Sequence, residues 1–319
     1  MEGLRIGEQL AWYGGLLQSA RAASHPMPAA AHSGVTRLRE PAAEHVRLLA
    51  DTYRSSVLGE SWDELPEARN RPGTDPKAAR LWVTFVCAVD RARDAARLWL
   101  AARRAWDEEP WVFDPVSVST RPIGDLMEVL ARHGVSQRHS VDVAAWRVIG
   151  ETLASPICPG PIRRAIEGEE VAAQDVLRAV AATRSDRRPR FPLLRGPKIS
   201  PMWVRMLVFP GRARITGMEV IPVAVDTHVQ RVTEMLGLVP VRSLGDAHRT
   251  MIQQVWFEAV RLVGRYGGPA GLDGTAAGID PALWALGRTG CSRCEQQRRK
   301  VPVGPICDLC VLGRIAADG

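Results

Sequence analysis

The sequence predicts an all-α fold, on three observations. Long stretches without glycine or proline carry apolar residues at three- and four-residue steps, the spacing that lines one face of a helix. Those stretches are bounded by aspartate or proline starts and glycine stops. Alternating, strand-like segments are few, and the best of them, Glu219 to Val225, is short.

Residues 1–75 are mixed. Ser24 to Gly34, rich in Ala, Pro and His, reads as a linker, and Glu60 to Pro76 reads as a loop. Asp75-Pro76 starts a helix, because aspartate caps free backbone N–H groups and proline tolerates the first helical position. From Lys77 to Trp106, Leu81, Phe85, Val89, Ala92, Ala96 and Leu100 form one apolar stripe, with Arg80, Arg91, Asp94 and Arg104 off it. This predicts one long amphipathic helix or two in tandem. Further helices are expected over Ile123 to His133, closed by Gly134, over Val141 to Leu153, stopped before Pro156, over Glu169 to Thr183, and from about Ser200 to Val208. Asp246 to Tyr266 is a long helix ending at Gly267-Gly268, and Asp280 opens a last short one, Pro281 to Arg288. The expected division is an N-terminal extension over 1–75, a helical domain over 76–290 and a C-terminal loop over 291–319.

Hydrophobic residues make up 46% and charged residues 24% of the 319, which supports a sizeable core. No apolar run approaches the roughly 20 residues that span a bilayer, so no membrane partner is expected. Met1 to Trp12 carries Glu2, Arg5 and Glu8 where a signal peptide has its apolar core. The net charge of +7 and a sequence pI of about 9.5 suit a polyanionic partner, because Lys and Arg displace counterions condensed on phosphates. No Walker loop, dinucleotide fingerprint or serine nucleophile elbow occurs.

Positive charge concentrates in one segment. Arg184, Arg187, Arg188, Arg190, Arg195 and Lys198 put six cations into fifteen residues, against Asp186 alone. Phe191 to Ser200 reads as a short hairpin with a tight turn at Gly196-Pro197, set between two helices. A hairpin so placed offers phosphate the free N–H groups and positive dipole end of the second helix. Arg195, Gly196, Pro197 and Ser200 are its candidate contacts. After the loop Pro210 to Gly217 comes Val223-Ala224-Val225-Asp226-Thr227-His228-Val229-Gln230-Arg231-Val232, then Leu236-Gly237-Leu238. Asp226 opens a helix, where the dipole favours its ionised form. Taken alone, such an aspartate is an ordinary N-cap.

A hairpin with glycine, then a lysine, then VDTHVQRV and LGL, resembles the helix-hairpin-helix base-excision DNA glycosylases, the superfamily of endonuclease III and the adenine and 8-oxoguanine glycosylases. The resemblance covers about Ala78 to the C-terminus and is most specific over Asp226 to Leu238. It implies two helical subdomains flanking a DNA-binding cleft, one of the central helices from about Arg121 to Val239 with the hairpin, the other of the N-terminal helices with the C-terminal helix and metal loop. It also implies, as partner, double-stranded DNA with a damaged or modified base, which is turned out of the stack before its glycosidic bond is cut. The family's catalytic aspartate matches Asp226. The family hairpin reads L-P-G-V-G-x-K, and Leu194-Arg195-Gly196-Pro197-Lys198 is two residues shorter. With the gap in the turn, Lys198 matches the catalytic lysine of the bifunctional members and KISPMWVRML keeps its helical register. Without a gap, Ser200 takes that position and the lysine is missing. The loop from hairpin to aspartate is also longer than the family's, with Gly196 and Asp226 thirty residues apart.

The implied chemistry has ionised Asp226 stabilising positive charge on the deoxyribose as the base leaves. Lys198, once neutral, would attack C1′ and form a Schiff base, for which its free pKa of about 10.4 must fall. With Lys198 misplaced, Asp226 would activate water, giving a glycosylase without lyase activity. A non-catalytic double-stranded DNA-binding protein of the same fold and a metal-stabilised partner-binding module are the alternatives. A cytoplasmic, nucleoid-associated monomer is expected. The excised base is not encoded in any motif of the N-terminal half.

Of six cysteines, Cys87 and Cys158 stand alone and read as small buried apolar residues. Cys291, Cys294, Cys307 and Cys310 form C-x2-C-x12-C-x2-C, which suits tetrahedral zinc or an iron–sulfur cluster. Spacing alone favours one Zn2+. ALWALGRTGC, Ala282 to Cys291, resembles the approach to the [4Fe-4S] loop of endonuclease III, and CDLCVL resembles its middle, which together imply a [4Fe-4S] cluster. The family spacing is C-x6-C-x2-C-x5-C, so Cys294 would replace the fourth ligand missing after Cys310. Arg298, Arg299 and Lys300, with Arg293 before them, read as a phosphate clamp on that loop. His228 reads as a packing or hydrogen-bonding group near the site, and Trp82, Trp99 and Trp203 as core.

Overall fold

The computed structural model describes residues 39–54, 61–73, 75–183 and 188–290. The described chain is mostly helical, with thirteen α-helices, a few short 3-10 and π turns, and two strands of two residues each. In chain order the helices are α1 (Arg39–Arg54), α2 (Pro66–Arg69), α3 (Pro76–Val89), α4 (Ala95–Glu108), α5 (Pro115–Thr120), α6 (Ile123–Arg132) and α7 (His139–Ala154). They continue as α8 (Gly160–Glu167), α9 (Ala173–Ala181), α10 (Ile199–Val208), α11 (Thr227–Met235), α12 (Asp246–Val263) and α13 (Ala276–Ala285). The strands β1 (Val171–Ala172) and β2 (Ile215–Thr216) pair in parallel.

Their apolar faces form two cores. The larger packs α3 to α10 around Trp82, Phe85, Trp99, Phe113, Trp146 and Trp203, all essentially inaccessible to solvent. Phe85 stacks on Trp146 at 5.1 Å between ring centroids, and Trp82 meets Trp99 at 4.9 Å. Cys87 and Cys158 are buried there as free thiols. The smaller core packs α1 along α12, with α11 and α13, through Val46, Leu49, Val229, Val232, Trp256 and Leu283. The sequence placed the division differently. It grouped α3 and α4 with the C-terminal helices and left the segment through Val239 with the central ones. The apolar stripes of α3 and α4 face the central helices instead, and from Val223 onward the chain turns its apolar residues toward α1 and α12.

Four local expectations are corrected. The stripe from Lys77 to Trp106 is two helices, α3 and α4. Ala92 takes φ +52°, a left-handed turn with no glycine to announce it, and Asp94 caps α4 by accepting from Arg97 N at 2.9 Å. Glu219 to Val225 is not a strand: a 3-10 turn at Met218–Val220 leads into unpaired chain. The helix read over Glu169 to Thr183 starts only at Ala173, because Val171 and Ala172 pair with β2. Asp280 does not open the last helix, since Thr275 caps it, and Asp280 and Pro281 lie inside α13. Among the described residues no helix is long and apolar enough to cross a membrane.

Candidate active site

Two helix N-termini converge between the cores. Asp226 is the N-cap of α11: its Oδ1 accepts from His228 N at 2.8 Å and from Val229 N at 3.1 Å. Its other oxygen, Oδ2, lies 3.6 Å from Nζ of Lys198, the residue that begins α10. Capping and facing the cleft are thus shared between two oxygens of one carboxylate. Lys198 and Asp226 line a pocket of about 500 Å3. The larger core contributes Trp99 and Met202 to its wall, the smaller contributes Leu65 and Trp284, and Asp90 and His228 line it as well. The Arg288 guanidinium lies over the Trp284 ring, 4.9 Å from its centroid.

A buried ionic tie sits behind this pair. Arg205 of α10 donates from Nη2 to Glu67 Oε1 of α2 at 2.8 Å, and its Nε lies 3.8 Å from Asp280 Oδ2 of α13. Asp280 Oδ1 accepts from Ala224 N at 2.7 Å and so holds the backbone two residues before Asp226. All three side chains are buried. Burial pushes the Asp280 carboxyl up to about 6, against the pull of Arg205. Asp90, buried at the end of α3, is also pushed up to about 6 by burial, against the pull of Lys198. The Lys198 amine moves the other way from the expectation. Burial works to lower its pKa, but Asp90, Asp226, Cys87 and Asp280 outweigh burial and raise it. A raised pKa keeps Lys198 an ammonium at neutral pH.

The structure thus brings Lys198 and Asp226 together and adds Glu67, Asp90, Arg205 and Asp280, which the sequence analysis passed over. Asp280 was visible only as a cap before a proline, and Asp90 only as a charge on an unbroken helix. Ser200, expected to touch phosphate or to stand in the lysine's place, does neither here. It is fully buried, and its hydroxyl donates to Gly196 O at 3.0 Å. In the run of turns from Pro192 to Lys198 the left-handed residue is Leu193, at φ +68°, rather than Gly196. Gly196 faces open space, where an added Cβ would meet nothing, and Arg195 and Pro197 beside it are partly exposed. Arg184, Arg187, Arg293, Arg298, Arg299, Lys300 and the four clustered cysteines lie outside the described residues. The described chain ends on a π turn, Leu286–Gly290, fixed to α11: Arg231 Nη1 donates to Gly287 O at 3.0 Å, and Gly287 packs so closely on the His228 carbonyl that a side chain would not fit. Compared with family models, with curated proteins and with solved structures, the chain finds no match in any of the three.

Proposed function

We propose that the protein is a DNA N-glycosylase of the helix-hairpin-helix class, with AP-lyase activity through Lys198. One observation carries this reading: an amine and a carboxylate 3.6 Å apart, each at a helix N-terminus, in a pocket between two helical cores. Such a pair can do both halves of the chemistry. Ionised Asp226 stabilises positive charge on the sugar as the base departs. The Lys198 amine, after losing its proton, attacks C1′, and the resulting Schiff base permits strand cleavage by elimination. Trp99, Trp284 and the two Met side chains, Met202 and Met206, give the pocket the apolar and aromatic lining that an unstacked base requires. Gly196, open to solvent just before α10, leaves room for a phosphate to approach the backbone.

The raised pKa of Lys198 favours a second form of the same reading. While the amine keeps its proton, Asp226 directs water instead, and the protein excises bases without cutting the strand. The C-terminal thiols belong to the proposal as a [4Fe-4S] site, with one Zn2+ as the alternative. Four cysteinyl sulfurs fit either, and the segment that bears them, which lies outside the described residues, follows in sequence on a turn pinned to α11.

The test uses labelled duplexes carrying uracil, hypoxanthine, 8-oxoguanine, thymine glycol or an abasic site. Base release from at least one duplex and nicking at the abasic site are expected. Borohydride should trap a covalent adduct, and the chain has only three lysines, Lys77, Lys198 and Lys300, so assignment is direct. Lys198→Gln should abolish trapping. Base release without trapping selects the water-directed form, and neither release nor nicking on any duplex refutes the proposal.

A further inference from the structure

Asp90 sits where α3 gives way to the left-handed turn at Ala92. It is 4% exposed, and it lines the same pocket as Lys198 and Asp226. No hydrogen bond or ion pair from a described residue reaches its carboxylate. Arg93, three residues on, is committed elsewhere, donating to Val135 O at 2.6 Å and Gly134 O at 2.8 Å. A buried carboxylate without a partner is costly, and a pocket is where such a cost is retained for use.

We infer that Asp90 is a positioning residue, a second counter-charge that acts with Asp226 to hold Lys198 as an ammonium in the empty pocket. The groups facing Asp90 are Lys198, Glu67, Arg93 and Asp226, and those facing Lys198 are Asp90, Asp226, Cys87 and Asp280. Asp226 is the nearer of the two carboxylates, with Oδ2 3.6 Å from Nζ, and it also gives one oxygen to the α11 cap, whereas the Asp90 carboxylate makes no such bond. Two carboxylates around one ammonium keep the amine unreactive and aimed until DNA fills the pocket.

The inference rests on the glycosylase reading only for the use made of the amine, and the charge pairing is measurable without DNA. Protein labelled with [13C]lysine gives three lysine signals, and Lys198→Arg identifies that of Lys198. In Asp90→Asn the Lys198 midpoint should fall by about one pH unit or more, with Lys77 and Lys300 unmoved. On an abasic duplex at pH 7, borohydride trapping should then be roughly tenfold faster, because one pH unit frees about ten times more amine. Asp90→Glu should restore the wild-type midpoint, and Asp90→Ser serves if the Asn variant does not fold. An unchanged Lys198 midpoint in the folded variant overturns the inference. A shifted midpoint without trapping in any form of the protein upholds the pairing and counts against the lyase reading alone.

Discussion

Asp226 holds two roles because a carboxylate has two oxygens, and one substitution separates them. In Asp226→Asn the remaining carbonyl oxygen can still accept from His228 N and Val229 N, and asparagine caps helices about as well as aspartate. The thermal midpoint should therefore stay nearly unchanged. The negative charge facing Lys198 is gone, and on the proposed glycosylase reading base excision should fall by at least about a hundredfold, with DNA affinity little altered. Full activity in that variant, measured in single turnovers, would reduce Asp226 to a cap. This residue was legible because its neighbours form a recognisable word, and Lys198 because a helical register ran through it. Asp90 and Asp280 were not, because burial is not written locally. Each looks like an ordinary surface charge until α3 gives way to the left-handed turn at Ala92 and α13 proves to begin four residues before Asp280.

At the scale of elements, α2, α10 and α13 are joined through Glu67, Arg205 and Asp280. Breaking a buried tie of this kind strands charge away from water, so it holds three helices in register more than it adds net stability. Its pH dependence can be read. Folded Asp280 keeps its proton up to about pH 6, whereas an unfolded aspartate loses it near about 3.9. Between these values the folded state binds more protons, so this contribution to stability is full at low pH and is lost as pH rises from about 4 to 6. It amounts to roughly 3 kcal/mol at most. Asparagine at 280 can still accept from Ala224 N but does not titrate. In urea unfolding, the destabilisation caused by Asp280→Asn should be greatest at about pH 4 and below and shrink toward pH 7, and a penalty constant with pH would contradict it. The C-terminal loop has its own test. Protein purified without oxygen should be brown and hold about four irons per chain. One zinc in a colourless protein would replace the cluster and keep the site, while folded, active protein with neither would remove it.

The whole molecule was legible in its class and not in its partition. Helical periodicity shows which residues of α3 face inward but not toward which neighbour, α1 was not read as a helix at all, and only the assembled cores put α1 against α12. The same gap between local pattern and assembly governs charge. Six cations from Arg184 to Lys198 and four more, Arg293, Arg298, Arg299 and Lys300, lie far apart in sequence. The described residues fix one point beside each segment: Lys198, which ends the first, lies beside the Asp226 cap of α11, and Gly287, four residues before Cys291, is held by Arg231 of the same helix. If both segments meet one duplex, several phosphates are neutralised together. DNA affinity should then fall by about 0.9 log unit per log unit of salt for each phosphate contacted. Neutralising Arg298 and Arg299 together should weaken binding to all sequences alike and flatten that slope by about one to two. Preference for the excised base should survive, because phosphates carry no sequence and the base is read in the pocket. Salt titrations of fluorescent duplexes, with and without the two substitutions, measure both slopes. A wild-type slope near zero would mean that these cations do not meet phosphate, and double-stranded DNA would no longer stand as the partner.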